Sequence, residues 1–352
     1  MADRRALIIG ATGITGGNTA ARLLASGWEV LGVSRSTPVG IPHVRADVLD
    51  ADATRAALSG LGATHVFFCT WSRQPTEAEN IDVNGAMLRN VLGAVGAVEH
   101  VALVTGLKHY LGPFEAYAQN PAKPPYRESQ GRLEHPNFYY EQEDILFEAA
   151  ARQGYSWSVH RPHTVIGYAL GNAMNMGVTL AVYGTICRLT GRPFVFPGSV
   201  EQYTGTTDLT DARLLAAQLE WAATAPAARN EAFNIVNGDT FAWREMWPTV
   251  AAGLGVTPAE YPGHPTPLVD QMADAGPVWK QIADDHGLVE SDVTRLAPWW
   301  HTDGDLGRTV ETHADMAKSR AAGFTAAQDS HRSFLDLFDR LRAEAVIPPL
   351  EA

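Results

Sequence analysis

The chain reads as an α/β protein: a doubly wound parallel sheet followed by a smaller, mostly helical region. Short apolar runs alternate with helix-period stretches through the first half, and a glycine-rich turn joins the first run to the first helix. Past residue 165 the pattern changes and helical segments dominate.

The apolar runs are "ALIIG" (6–10), "EVLGVSR" (29–35), "HVFFC" (65–69), "HVALVTG" (100–106) and "WSVHRP" (157–162). Their apolar residues are consecutive, as strands buried on both faces require. "TGGNTAARLLASG" (15–27) and "NIDVNGAMLRNVLGAVG" (80–96) supply helices between them. In the second half, 174–191, 210–224, 241–255 and 333–345 read as helices, and "NEAFNIVNG" (230–238) as a strand. These patterns divide the chain into a dinucleotide-binding domain at 1–165 and a substrate-binding region at 166–352. Residues 230–238 are expected to return to the first sheet. There is no repeat and no low-complexity linker.

Composition narrows the function classes. With 352 residues, 45% of them hydrophobic, the chain can bury a full core. Its net charge of -12 argues against nucleic acid and anionic membrane as partners. Cys69 and Cys187 lie in apolar segments, which suits thiols in a reducing compartment. The opening "MADRRALIIGATG" enters a strand at once, without room for a signal peptide, and no apolar stretch is long enough for a bilayer. A cytoplasmic location is expected. The twelve histidines form no H-x-x-x-H pair or Cys/His cluster, so no metal is expected.

"ALIIGATGITGG" (6–17) sets Gly10, Gly13 and Gly16 in a G-x-x-G-x-x-G pattern after a strand and before a helix. Glycines permit the tight turn, and the helix N-terminus offers free N–H groups to a pyrophosphate. Gly10, Thr12, Gly13 and Ile14 are therefore candidate cofactor ligands in a Rossmann-type domain. The alternative is a glycine turn without a ligand. The second strand ends in Ser34, Arg35 and Ser36, where a preference for NAD calls for an acidic residue. A guanidinium flanked by hydroxyls suits a 2′-phosphate, so NADPH/NADP+ is the expected cofactor. A surface arginine is the bland alternative. Asp47 and Val48 end the third strand, where they can meet the adenine; Asp47 is equally well read as a capping aspartate. Thr70 and Trp71 follow the fourth strand and Thr105 the fifth, at the edge where open α/β sheets bind ligands. Pro162 and Val165 follow the next strand and are expected beside the nicotinamide.

"NFYYEQED" (137–144) poses the central question. A tyrosine with a lysine four residues later is a common dehydrogenase pair, but Tyr140 is followed at that spacing by Asp144. A lysine lowers the phenol's pKa and holds the nicotinamide ribose; a carboxylate does the opposite. Lys108, in "VTGLKHYLGPFE", sits just past a strand's C-terminal end and could supply the charge. A loop lysine is more often solvated.

"TGLKHYLGPFE", "NFYYEQEDILFE", "WSVHRPHTVIGY" and "AMNMGVTLAVYGTICR" resemble the progesterone 5β-reductase/iridoid synthase family, an atypical branch of the extended short-chain dehydrogenases/reductases. "THVFFCTW", "ENIDVNGAMLRNVL", "FVFPGS" and "NEAFNIVNGDTFAW" extend the resemblance nearly end to end. It implies that Lys108 replaces the helix lysine and that Tyr140 is the catalytic tyrosine; adjacent helical residues point about 100° apart, so Tyr139 is then expected to pack or to support the site from behind. It also implies NADPH-dependent reduction of a C=C bond conjugated to a carbonyl. Hydride goes to the β-carbon and the phenol steadies the enolate oxygen.

Phe114, Tyr168 and Phe334 are candidate substrate contacts. Phe334 with Phe338 could form a lid, or simply the core face of a helix. Where plant members tend to read "HRP…FGFSP.S.MN", this chain has "HRPHTVIGYALGNAMN", so the substrate stays open: a small enone, or a steroid enone such as progesterone as a surrogate. The expected partner is a small-molecule enone; a homodimer is one option. The rival readings are a carbonyl reductase, a sugar-nucleotide epimerase or a non-catalytic NADP(H) redox sensor on the same scaffold.

Overall fold

The computed structural model describes residues 4–37, 40–113 and 122–350. Phe114 lies outside the described residues.

Six strands lead the chain: β1 (Arg5–Ile9), β2 (Glu29–Ser34), β3 (His43–Arg45), β4 (His65–Phe68), β5 (His100–Val104) and β6 (Ser156–Pro162). β7 (Val165–Ile166) and β8 (Thr210–Asp211) pair only with each other, and β9 (Glu231–Ile235) follows. β1 to β6 and β9 form one sheet in the order β3-β2-β1-β4-β5-β6-β9. Every neighbouring pair is parallel. The consecutive apolar residues of β1, β4 and β5 are buried, as strands covered on both faces must be. Chain direction across the sheet reverses between β1 and β4, so the crevice at their C-terminal ends is where such a sheet binds ligands.

Helices α1 (Ile14–Ala25), α2 (Ala51–Leu58), α3 (Glu77–Ala94), α4 (Lys108–Leu111) and α5 (Phe138–Gln153) connect these strands. α3 starts three residues before its apolar pattern does. Thr76 and Glu79 form a reciprocal capping box, with the Thr76 hydroxyl accepting from the Glu79 N–H and the Glu79 carboxylate accepting from the Thr76 N–H. α5 is capped by Asn137, and Gly154 ends it at φ +84°, the left-handed region that glycine tolerates.

The chain forms two compact units. The first comprises Met1–His163, Ala212–Val236 and Ala314–Ala326; the second comprises Thr164–Asp211, Asn237–His313 and Ala327–Ala352. Beyond residue 165 the chain returns to the first unit twice, at Ala212–Val236, which holds β9 within the expected 230–238, and at Ala314–Ala326. The helix Ala212–Thr224 packs beside α1, with Arg22 on Glu220 at 2.6 Å. β9 pairs along β6, and Lys318 Nζ donates to Glu231 Oε2 at 2.7 Å and to the Ala232 carbonyl at 2.9 Å.

The second unit has its own core. The helix Met176–Thr190 is buried at every position from Met176 to Cys187, and a helix apolar all round needs such enclosure. Phe194 stacks on Trp247 and Trp243 meets Phe334 edge-on. No helix among the described residues is long and apolar enough to cross a membrane.

Candidate active site

The glycine turn has the shape a dinucleotide needs. Gly10 adopts φ +88°, and a Cβ there would stand 2.8 Å from the Thr70 Cβ and 3.0 Å from the Cys69 carbonyl. A Cβ on Gly16 would collide with the Gly10 carbonyl at 2.2 Å, so only glycine lets α1 start this close to β1. Gly13 is the N-cap of α1 and supplies no side-chain cap, which leaves the first N–H groups of the helix available to an anion. At the end of β2, Arg35 and Ser36 are exposed, and the Ser34 hydroxyl donates to the Ser36 carbonyl and meets His43 Nε2 at 3.1 Å. Asp47 is exposed and accepts from the Leu49 N–H at 3.1 Å, while Val48 is buried; the cap of α2 is Asp50. These residues fit a nicotinamide dinucleotide.

Lys108 is not a solvated loop residue. It opens the single turn α4, just beyond β5, and is 5% exposed. Its ammonium meets Glu77 Oε2 at 2.9 Å and stands 4.6 Å above the centre of the Phe138 ring. Asn137 ties this turn to α5: its Nδ2 donates to the Lys108 carbonyl at 2.7 Å, and its Oδ1 accepts from the Tyr139 N–H at 3.0 Å. Trp71 stacks on Phe138 at 5.2 Å, and Phe138 packs on Tyr139 at 4.3 Å.

The two tyrosines have different surroundings. Adjacent helical residues point about 100° apart, so only one of them can face the end of β5. The hydroxyl of Tyr140 donates to the His109 carbonyl at 2.5 Å and accepts from the Leu133 N–H at 3.0 Å. Tyr140 is 8% exposed, and burial raises its phenol above the ordinary value. Tyr139 is half-buried, and its hydroxyl lies 3.2 Å from the position of a Cβ on Gly106, at the C-terminal end of β5. The Pro162 carbonyl stands 3.2 Å from that same position. Thr105, buried and immediately before Gly106 in the chain, donates its N–H to the His160 carbonyl at 2.8 Å.

Asp144, at the place of the missing lysine, is exposed and pairs with Arg132 at 2.8 Å. Arg132 also reaches Glu143 at 3.1 Å and covers the Tyr140 ring at 5.0 Å. Glu143 is the centre of a buried network, taking Arg161 at 3.0 Å and His109 at 3.4 Å. Burial alone would raise its carboxyl; the close approach of His109 Nδ1 and the charge and hydrogen bond of Arg161 override this and hold it at about 2. Arg161 also donates to the Tyr110 hydroxyl at 3.3 Å, which donates to Asn234 on β9 at 2.7 Å.

The first unit therefore brings together Gly10, Thr70, Trp71, Thr105, Lys108, Tyr139 and Pro162 around the C-terminal ends of β1, β4, β5 and β6. Val165, Tyr168 and Phe334 belong to the second unit. Val165 opens β7, and the Tyr168 ring carries the Arg340 guanidinium at 3.8 Å. Phe334 has no exposed surface and packs with Trp243 and Phe338 in the core. That corrects the lid expectation: the helix face is filled from within the unit. Glu77, Asn137 and Glu143 escape sequence reading. Acidic residues early in a helix, and a polar residue before one, look like ordinary surface and cap chemistry; their signal lies in which distant group they face.

The match with known proteins is broad. The family model for a PRISE-like Rossmann-fold domain covers residues 47–348. An (S)-8-oxocitronellyl enol synthase of Camptotheca acuminata is 39% identical, over 97% of this chain and 93% of its own. A 3-oxo-Δ4,5-steroid 5-beta-reductase of Arabidopsis thaliana is 40% identical with the same coverage. Among solved structures, a short-chain dehydrogenase/reductase superfamily protein from Agrobacterium tumefaciens with bound NAD superposes with a TM-score of 0.66. It is 14% identical, with 97% of this chain and 98% of that one covered, which speaks for the fold alone. On the family model and the two enzyme relatives, this chain belongs to the PRISE-like Rossmann-fold family.

Proposed function

We propose that this chain is an NADPH-dependent ene-reductase that saturates the C=C bond of α,β-unsaturated carbonyl compounds. The observation that carries the reading is a buried lysine just past β5 that sits over Phe138, which itself packs on Tyr139, whose hydroxyl lies at the end of that strand. The names of the relatives, an enol synthase and a steroid 5-beta-reductase, agree with it. The turn Gly10–Ile14 holds the pyrophosphate, and Arg35 with Ser34 and Ser36 holds the 2′-phosphate.

Bound NADPH supplies a hydride for the β-carbon of the enone. Tyr139, rather than Tyr140, donates its O–H to the carbonyl oxygen, where negative charge develops. The Lys108 ammonium stabilises that charge and the polarised phenol. The proton that completes the α-carbon comes from solvent. Tyr140 instead fixes the α4 turn, through its bond to the His109 carbonyl.

The test follows absorbance of NADPH with small cyclic and acyclic enones, with NADH and a matched saturated ketone as controls. Enone-dependent oxidation with saturated product, weaker with NADH and severely reduced in Lys108→Met, is expected. Turnover of the saturated ketone alone would make the chain a carbonyl reductase. Tight NADPH binding with no turnover across the panel would favour a sensor.

A further inference from the structure

We propose that Glu77 is the positioning residue for Lys108, and that it restores by hydrogen bonds the register a shared helix would have supplied. The inference rests on the role given to Lys108 above. When lysine and tyrosine stand four residues apart on one helix, the backbone fixes their separation. Here they lie on α4 and α5, and something must hold one against the other.

Glu77 spans both elements. Its Oε2 accepts from Lys108 Nζ at 2.9 Å and from Asn80 Nδ2 at 3.2 Å, while its Oε1 accepts from the Phe138 N–H at 2.8 Å. One carboxylate thus grips the lysine charge and the first amide of the helix that carries Tyr139. Its side chain is only 12% exposed, and that of Lys108 only 6%.

An acidic residue in a first helical turn often serves its own helix. Glu77 does not, because Thr76 and Glu79 already close the end of α3 by the capping box. Each Glu77 oxygen reaches another element, Oε2 to Lys108 on α4 and Oε1 to the first amide of α5, and Oε2 also takes Asn80 of α3. A buried ammonium without a counter-charge is driven toward the neutral amine, which would give Tyr139 no positive field. The Phe138 face offers a weaker attraction of its own, and Glu77 sets a carboxylate oxygen 2.9 Å from the ammonium.

The test compares Glu77→Gln, Glu77→Asp and Lys108→Met with the wild-type protein. The first readout needs no cofactor: acylation of Lys108 by acetic anhydride at pH 8, read by peptide mass spectrometry against the exposed Lys280. Loss of the carboxylate favours the reactive neutral amine, so Glu77→Gln should label about tenfold faster. NADPH affinity, by fluorescence, and kcat should both fall, kcat by about 10²-fold. Glu77→Asp keeps the charge but cannot reach Lys108 and Phe138 together; its labelling should stay near wild type while kcat still drops at least tenfold. Wild-type kcat in Glu77→Asp overturns the bridge, even if Glu77→Gln fails to fold. Unchanged labelling in Glu77→Gln overturns it too, as does tighter NADPH binding with faster turnover, which would mean that Glu77 restrains the lysine. An unimpaired Lys108→Met enzyme would instead sink the function given to the lysine. Loss in Lys108→Met with no change in Glu77→Gln sinks the Glu77 inference alone.

Discussion

The hydroxyl of Tyr139 lies 3.2 Å from where a Cβ on Gly106 would stand. Gly106 does not need positive φ here; it provides space. The added methyl of Gly106→Ala would press on that hydroxyl and on the Pro162 carbonyl, also at 3.2 Å. The carbonyl belongs to a sheet strand and cannot yield, so the phenol must shift. A displacement of this order costs up to about 10²-fold in rate when the displaced group is catalytic. We expect kcat with an enone to fall about ten- to a hundredfold, with a melting temperature close to wild type. Unchanged kcat would remove Tyr139 from the chemistry.

The neighbouring tyrosines separate rate from stability. Tyr139→Phe loses the donor to the developing oxyanion and should cost roughly 10²–10³ in kcat. Tyr140→Phe loses two main-chain hydrogen bonds in a buried setting, at 2.5 and 3.0 Å. It leaves the His109 carbonyl and the Leu133 N–H to find other partners, so it should destabilise by about 1–3 kcal/mol. Its kcat should fall by less than Tyr139→Phe does. Steady-state kinetics and urea unfolding of both variants check this. A larger loss of kcat in Tyr140→Phe, without loss of stability, would return the chemistry to Tyr140.

Much of this was legible in the chain because local rules and global fold agree. The consecutive apolar residues of 65–69 and 100–106, and the glycine turn at 10–16, each point to one structure. The place of Lys108 after a strand was legible, but its burial was not, since a lysine in a loop ordinarily reads as solvated. Which tyrosine hydroxyl lies near Gly106 was not legible, since sequence places the two about 100° apart but does not say which direction faces the end of β5. That is decided by the start of α5, where Asn137 caps the helix and clamps the Lys108 carbonyl. Glu143 hid for a similar reason. "EQED" reads as a charged surface, yet Glu143 is buried under Arg161 and His109 while Glu141 and Asp144 are turned toward arginines at the surface.

Asp144 tests whether the missing helix lysine matters at all. Its side chain is about half exposed and pairs only at the surface with Arg132, which keeps its bond to Glu143 without it. Exposed ion pairs contribute about 0–1 kcal/mol. Asp144→Ala should therefore change stability by less than about 1 kcal/mol and leave kcat nearly untouched. Asp144→Lys should not rescue Lys108→Met, because the lysine at that position would meet Arg132 rather than the end of β5. Rescue of enone reduction by that double variant, read by NADPH oxidation, would show that the helix position still faces the site.

Acid should weaken the fold in two stages. His100 and His160 lie on the sheet and are linked through Ser158, whose hydroxyl meets His100 Nε2 and His160 Nε2 at 2.9 Å each. Burial lowers His100 to about 3 and His160 to about 4, with the neighbouring histidine adding to the shift of His100. Unfolded histidine binds its proton near pH 6.5. Above that pH both states are neutral and the full stability is present. As pH falls from about 6.5 toward the folded values, only the unfolded chain takes up these protons, and stability drops. Each histidine contributes a slope of up to about 1.4 kcal/mol per pH unit. Glu143, held at about 2, adds its loss only below the ordinary carboxylate range, from about 4.3 downward. Urea unfolding at pH 8, 7, 6 and 5 should be flat to about 7 and then decline. His160→Gln should reduce the slope between 6 and 5, where Glu143 does not yet titrate. A slope unchanged by that substitution would mean His160 is protonated in the folded protein, and that the Ser158 and Gln218 contacts are arranged otherwise than they are here.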